Sequence, residues 1–288
     1  MGGATHRRKD GHYSRDIGGA WHPARMTLAD YLAHFAASGG TDEAYLRTHW
    51  PRFRNTKAIF DERWSKARGT RVLDVGAHWL HQALLFALDG YQVTASDLES
   101  QMRRPNVMRL AAAHGIELIG NDDLERPNAF SRLPDGAFDV ILFGEIIEHI
   151  TFNPVAMWRE FHRLLATGGR IVVTTPNYYA SASIIQRLRR GIGRGGGITV
   201  DEILATHTHG HHWKEYSRWE LARYFERLSP DFRVGRIAMV EDQAQVRRSL
   251  RGRLVHSVGR VIPQLRARLH VEVDVPAKSH GVVVQPQW

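Results

Sequence analysis

The sequence has no cysteine, which excludes a disulfide framework, a thiolate metal site and a cysteine nucleophile. It has no apolar run long enough to span a bilayer. Its start, MGGATHRRKDGHYSRD, lacks the apolar stretch of a secretory signal, so a soluble, cytoplasmic protein is expected. Acid is scarce in one place only. Between Gln243 and Val271 there are seven arginines (Arg247, Arg248, Arg251, Arg253, Arg260, Arg266, Arg268) and no Asp or Glu. The whole chain carries +9, and without that stretch only +2. A near-neutral body with one basic segment does not point to nucleic-acid binding over the whole surface.

What is present is ordinary for a folded domain: 288 residues, 43% hydrophobic and 24% charged. Residues 1–68 read as a tail followed by a helical segment, a candidate lid. Thr27–Ser38 is its first helix, with Thr27 and Asp30 spaced as a capping box, and Asp42–His49 and Pro51–Lys66 are two more. From residue 69 onward, β-branched apolar runs alternate with helix-length stretches. The expected strands are Arg71–Val75, Tyr91–Ser96, Ile116–Gly120, Phe138–Phe143, Arg170–Thr175 and Phe232–Val240, with a last apolar run at Gly281–Val284. Helices are expected at Trp79–Asp89, Pro105–His114, Pro154–Ala166 and Ser217–Leu228. Such alternation is the signature of an α/β, Rossmann-like, doubly wound parallel sheet. A His- and Gly-rich insertion covers residues 177–215, and Leu250, Leu254, Val258, Val261, Leu265 and Leu269 space out a basic amphipathic helix over residues 243–269.

Chemistry gathers where strands end. RVLDVGAHWL places Asp74, Gly76 and Ala77 between a buried strand and a helix, where backbone approaches a ligand in open α/β sheets. Asp97 and Leu98 close the second strand, and an acid there can accept from both ribose hydroxyls of a nucleoside cofactor. Asp122, Asp123 and Leu124 follow the third strand, within reach of an adenine amino group. The fourth runs into Gly144-Glu145-Ile146-Ile147-Glu148-His149, and Leu164-Leu165-Ala166-Thr167-Gly168-Gly169 precedes the fifth.

In order and spacing these segments resemble the class I S-adenosylmethionine-dependent methyltransferases, in the branch with an E-x-x-E-H element after the fourth strand. The resemblance spans about Arg71 to Asn177. It implies a seven-stranded sheet with the last strand antiparallel, and S-adenosylmethionine as cofactor. The methionine end would lie at Asp74 and Gly76, the ribose at Asp97 and the adenine at Asp122 and Asp123. One departure is plain: in D-x-G-x-G-x-G the second and third glycines are replaced here by His78 and Leu80. Either the loop takes another path or the pocket is lost, and the latter would leave a binding module without catalysis.

HHWKEYSR, beginning at His211, resembles the late segment of metal-dependent RNA 3′-end 2′-O-methyltransferases. That resemblance implies a site for Mg²⁺, Mn²⁺ or Zn²⁺ built by Glu145, Glu148, His149 and His212. His149 and Glu145 are then the expected catalytic groups for O-methylation. The expected acceptor is a small molecule, a glycan or a lipid-linked intermediate, with RNA as the alternative, and the arginine-rich helix is a candidate peripheral membrane contact.

Overall fold

In the computed structural model, the described residues are 26–64, 69–126, 130–181, 183–185, 204–205, 210–241, 257–259 and 261–285. Two helices come first, α1 (Leu28–Ala37) and α2 (Glu43–Asp61). Thr27 starts α1 with the capping box foreseen from its spacing, since its side chain accepts from Asp30 and Asp30 answers to the Thr27 backbone. α2 is one helix rather than the two expected, because Pro51 sits inside it. Proline removes one backbone bond there, and Trp50, Phe53 and Phe60 bury α2 on the core on both sides of that gap.

The remaining elements are β1 (Arg71–Val75), α3 (Ala83–Leu88), β2 (Gln92–Asp97), α4 (Glu99–Met102), α5 (Pro105–His114), β3 (Glu117–Gly120), β4 (Phe138–Gly144), α6 (Val155–Leu164), β5 (Leu165–Pro176), α7 (Arg218–Leu228), β6 (Arg233–Val240) and β7 (Arg268–Val275). They form a seven-stranded sheet in the order β3-β2-β1-β4-β5-β7-β6. Only β7 runs against its neighbours, as the resemblance implied. The strand order reverses between β1 and β4, and in such sheets ligands bind at the carboxyl ends beside that point. Apolar cores cover both faces: α1, α2, α3 and α5 pack on one, and α6 and α7 on the other.

β7 corrects the expected basic helix. Arg268 and Leu269 belong to this strand, and only 257–259, 261 and the 3-10 turn Pro263–Leu265 are helical within the described part of 243–269; residues 243–256 and 260 lie outside it. Leu269, Val271, Val273 and Val275 enter the α6/α7 core, while Arg268, His270, Glu272 and Asp274 alternate onto the α2 face, the period-2 pattern of a strand. The helix expected at Trp79–Asp89 is regular only over α3, since a tight loop occupies the residues before it. Much of the 177–215 insertion, including 206–209 of the His-rich run, also lies outside the described residues. Among the described residues, no helix is long and apolar enough to cross a membrane.

Candidate active site

The loop after β1 shows how the missing glycines are accommodated. Gly76 has φ +75°, and a Cβ there would collide with the Ile146 side chain, so only glycine fits. His78 and Leu80 also adopt left-handed backbone, at φ +50° and +66°. The loop therefore keeps the conformation that glycine takes freely, at a cost of about 1–2 kcal/mol for each L-residue. Local bonds hold it. The Gly76 and Ala77 amides donate to the Ser96 carbonyl at 2.8 and 3.1 Å, and Leu80 N donates to the Ala77 carbonyl at 2.7 Å. His78 N donates to Asp97 Oδ2 at 2.8 Å, and Gln101 Nε2 donates to the His78 carbonyl at 3.0 Å. The Leu80 side chain is wholly buried, which anchors the turn in the core.

Backbone amides also fix the carboxylates at the next two strand ends. Asp97 Oδ1 accepts from Leu98 N at 2.7 Å, and Asp122 Oδ1 accepts from Glu99 N at 2.8 Å. Asp123 Oδ1 accepts from Glu125 N and Arg126 N, at 2.8 and 3.1 Å. These groups face a cavity of about 640 Å³. Every residue expected to hold the cofactor lines it: Asp74, Gly76, Ala77, Asp97, Leu98, Asp122, Asp123, Leu124 and Gly144. Three further wall atoms, Asp74 Oδ2, Ser96 Oγ and Asn121 Nδ2, are buried with no hydrogen-bond partner in the protein. Buried polar atoms are normally satisfied, so this set fits a polar occupant such as a nucleoside. Burial, then the nearby Asp97 charge, pushes the Asp74 carboxyl up to about 8 against a hydrogen bond from the Ala83 backbone. At neutral pH Asp74 is therefore a donor as well as an acceptor.

The other end of the cavity lies at the carboxyl ends of β4 and β5. Glu145 is again left-handed, at φ +58°, and its amide donates to the Thr174 carbonyl at 2.7 Å. Its carboxylate is paired with Arg268 of β7, and Arg52 Nη1 of α2 stands 3.6 Å away. Of the four expected metal ligands, Glu145 is the one set apart: the arginines claim its carboxylate.

The other three converge. Ligand atoms of Glu148, His149 and His212 lie within 4.8 Å of one another. Glu148 is wholly buried; one carboxylate oxygen accepts from Thr175 Oγ1 at 2.9 Å, and the other has no hydrogen-bond partner. Trp213 N and Lys214 N donate to the Glu148 carbonyl at 2.8 and 3.2 Å, and this seats His212 beside His149, ring centroids 4.9 Å apart. His149 Nδ1 lies 2.8 Å from the His211 carbonyl, so Nδ1 carries the proton and donates. In that tautomer Nε2 is unprotonated, the form of a metal ligand or a base, and it lies 3.9 Å from Glu148 Oε1. His149 and Glu145 line the cavity itself.

Several lining residues escaped sequence reasoning. Asn121 was visible in its acidic cluster without a role. Tyr45, Arg52 and Phe53 reach the cavity from α2, and Thr174 reaches it from β5. No local motif marks them, because it is the packing of α2 across the sheet that brings them in.

A family model described as a methyltransferase domain matches residues 28–229. No curated protein matches the chain in sequence. Among solved structures, an S-adenosylmethionine-dependent methyltransferase from Mesorhizobium loti is 17% identical, with a TM-score of 0.52 over 79% of this chain and 97% of that one. A methyltransferase solved with the Haloferax volcanii Trm112 methyltransferase activator is 16% identical, with a TM-score of 0.53 over 85% of this chain and 98% of that one. Burkholderia thailandensis 1,6-didemethyltoxoflavin-N1-methyltransferase, solved with bound 1,6-didemethyltoxoflavin and S-adenosylhomocysteine, is 18% identical, with a TM-score of 0.51 over 85% of this chain and 91% of that one.

Proposed function

Since the chain belongs to the class I S-adenosylmethionine-dependent methyltransferases, we propose that it methylates a hydroxyl oxygen, with Glu148, His149 and His212 holding a divalent metal beside the acceptor. The observation that carries this reading is the convergence of those three residues, of which His149 lines the cavity. The buried oxygen of Glu148 that lacks a hydrogen-bond partner and the unprotonated Nε2 of His149 fit Mg²⁺, Mn²⁺ or Zn²⁺, which accept mixed oxygen and nitrogen donors. A metal there would lower the pKa of a bound hydroxyl.

S-adenosylmethionine supplies an electrophilic methyl group when bound, so most of the protein's work is positioning. Asp97 accepts from the ribose hydroxyls, and Asn121, Asp122 and Asp123 face the adenine. Protonated Asp74, with Gly76 and Ala77, takes the methionine end. Leu98, Leu124 and Gly144 shape the walls. His149 Nε2 orients the acceptor hydroxyl or removes its proton, and Glu145 acts through the charge of Arg52 and Arg268. The helical N-terminal segment closes the acceptor side as a lid, with α2 forming its inner surface.

Calorimetry with S-adenosylhomocysteine, with and without Mn²⁺, tests the two halves together. Wild-type protein is expected to bind both, and Glu148→Gln to weaken Mn²⁺ at least about tenfold while cofactor affinity stays within about twofold. Unchanged Mn²⁺ binding by that variant would remove the metal from the mechanism.

The acceptor in this reading is a small molecule, a glycan or a lipid-linked intermediate. A second reading, methylation of an RNA 3′ end, is favoured by exposed rings near the same loop: Tyr178, Tyr179, Trp213 and Trp219. Arg218 lies over Trp219 and Lys214 over Tyr216, the aromatic and cationic mixture that stacks single-stranded bases. Steep loss of oligonucleotide affinity with rising salt would select it.

A further inference from the structure

The two histidines of the proposed metal centre are held unequally by the bonds described so far. His149 Nδ1 lies 2.8 Å from the His211 carbonyl, which settles its tautomer. His212 is the most exposed of the three converging residues and is carried by a loop rather than by a helix or strand. Backbone bonds seat that loop: Trp213 N and Lys214 N donate to the Glu148 carbonyl, and Tyr178 N donates to the Tyr216 carbonyl at 2.9 Å. They place the chain but leave the rotation of the His212 imidazole open. Glu215 supplies the missing constraint. Its Oε1 stands 3.7 Å from His212 Nδ1, and its side chain is three-quarters buried although it belongs to the same loop. In both histidines, therefore, Nδ1 is the nitrogen approached by an oxygen outside the converging trio, a carbonyl for His149 and a carboxylate for His212. A divalent ion also favours nearby negative charge. Glu145 is paired with Arg268 and faces Arg52, so Glu215 is the carboxylate placed to join Glu148 there.

We propose that Glu215 is the positioning carboxylate of this centre: it accepts the Nδ1 proton of His212 and so aims His212 Nε2 at the metal held by Glu148 and His149. The inference rests on the metal reading above and adds a residue to it. Carboxylates in this role fix the tautomer and orientation of a ligating imidazole and raise its basicity, and their loss costs about 10–100-fold in metal affinity. A side chain carried by a loop needs such support more than one built on a rigid element.

Calorimetry with Mn²⁺ on wild-type protein, Glu215→Ala, Glu215→Gln, His212→Ala and the double variant His212→Ala/Glu215→Ala tests this. Glu215→Ala is expected to lose at least about tenfold in Mn²⁺ affinity, with S-adenosylhomocysteine affinity within about twofold of wild type. Glu215→Gln keeps an acceptor oxygen without the charge and should fall between the two, at a loss of about threefold or more. In the His212→Ala background, removing Glu215 should cost no more than about twofold, because a residue acting through His212 has nothing left to aim. Mn²⁺ binding by Glu215→Ala equal to wild type overturns the proposal. So does the full loss repeated on top of His212→Ala, which would make Glu215 a ligand in its own right. Should Glu215→Ala fail to fold, Glu215→Gln carries the test, and unchanged Mn²⁺ affinity there overturns the proposal. Wild-type protein that binds no Mn²⁺ would end the metal reading instead. Nitrogen NMR of the metal-free protein in mildly alkaline solution then decides the role of Glu215. An Nδ1-protonated His212 that loses this preference in Glu215→Ala upholds the pairing, and an unchanged tautomer overturns it.

Discussion

The two ends of the cavity hold their carboxylates by different means. At the tips of β2 and β3, Asp97, Asp122 and Asp123 are fixed by backbone amides of the strand-end loops and of the start of α4. At the carboxyl ends of β4 and β5, Glu145 and Glu148 are fixed by side chains from elsewhere in the chain: Arg268, Arg52 and Thr175. A backbone donor is supplied by nearly any residue type, so the first end depends on the path of the chain more than on its sequence. The second end depends on particular residues separated by long stretches. The nucleoside half of such a site can therefore stay constant while the acceptor half is rebuilt by exchanging a few distant side chains.

The contrast would break first at Glu145. Removing the carboxylate in Glu145→Met takes one buried negative charge away from Arg52 and Arg268, and a loss of about 3–5 kcal/mol is expected from chemical denaturation. Adding Arg268→Met should recover at least half of that loss, which distinguishes stranded charge from lost packing. Next in size is Asp97→Ala, which deletes two charge-assisted bonds to the loop amides along with the proposed ribose contact. A fall of roughly a hundredfold in S-adenosylhomocysteine affinity by calorimetry is expected, with no matching effect on Mn²⁺.

Smaller effects sharpen the picture of the first end. His78 is exposed, so His78→Gly relieves left-handed strain but frees the unfolded chain, and the net gain should not exceed about 1 kcal/mol. Leu80→Gly relieves similar strain yet forfeits a fully buried side chain, so it should destabilise by about 2–4 kcal/mol in the same assay. A separate expected effect is in pH dependence. The folded-state value of Asp74 is raised to about 8, above the ordinary carboxylate value near 3.9. Its contribution to stability is therefore complete below the ordinary value and is lost as pH rises toward 8. Asp74→Asn should flatten that part of the stability profile, measured by denaturant titration across the interval.

Legibility in the sequence followed the same division. β1 to β5 could be located because each is a short apolar run bounded by turn residues, and the acids at their ends come with them. Both the capping box at Thr27 and the turn at Gly76 are written within a few residues. What escaped depends on distant pairing. β7 was absorbed into a helix because Leu265 and Leu269 prolong a helical spacing, although the strict alternation from Arg268 to Val275 was there to be read. Arg52 has no local signature, because its place in the cavity follows from how α2 crosses the sheet. The separation of Glu145 from Glu148 and His149 was hidden for a similar reason: helical spacing put all three on one face, whereas a left-handed residue at Glu145 turns its side chain toward β7.

Leu80 has a further consequence for how the cavity meets its ligand. A turn made of bare glycines must surrender its freedom when a nucleoside arrives, and the complex is weakened by that loss of entropy. Here the turn is bolted to the interior through a leucine side chain, so its ordering is settled when the chain folds. Nucleoside association should then carry a smaller entropic penalty than in a glycine-only loop, and Leu80→Gly should transfer that penalty from folding to binding.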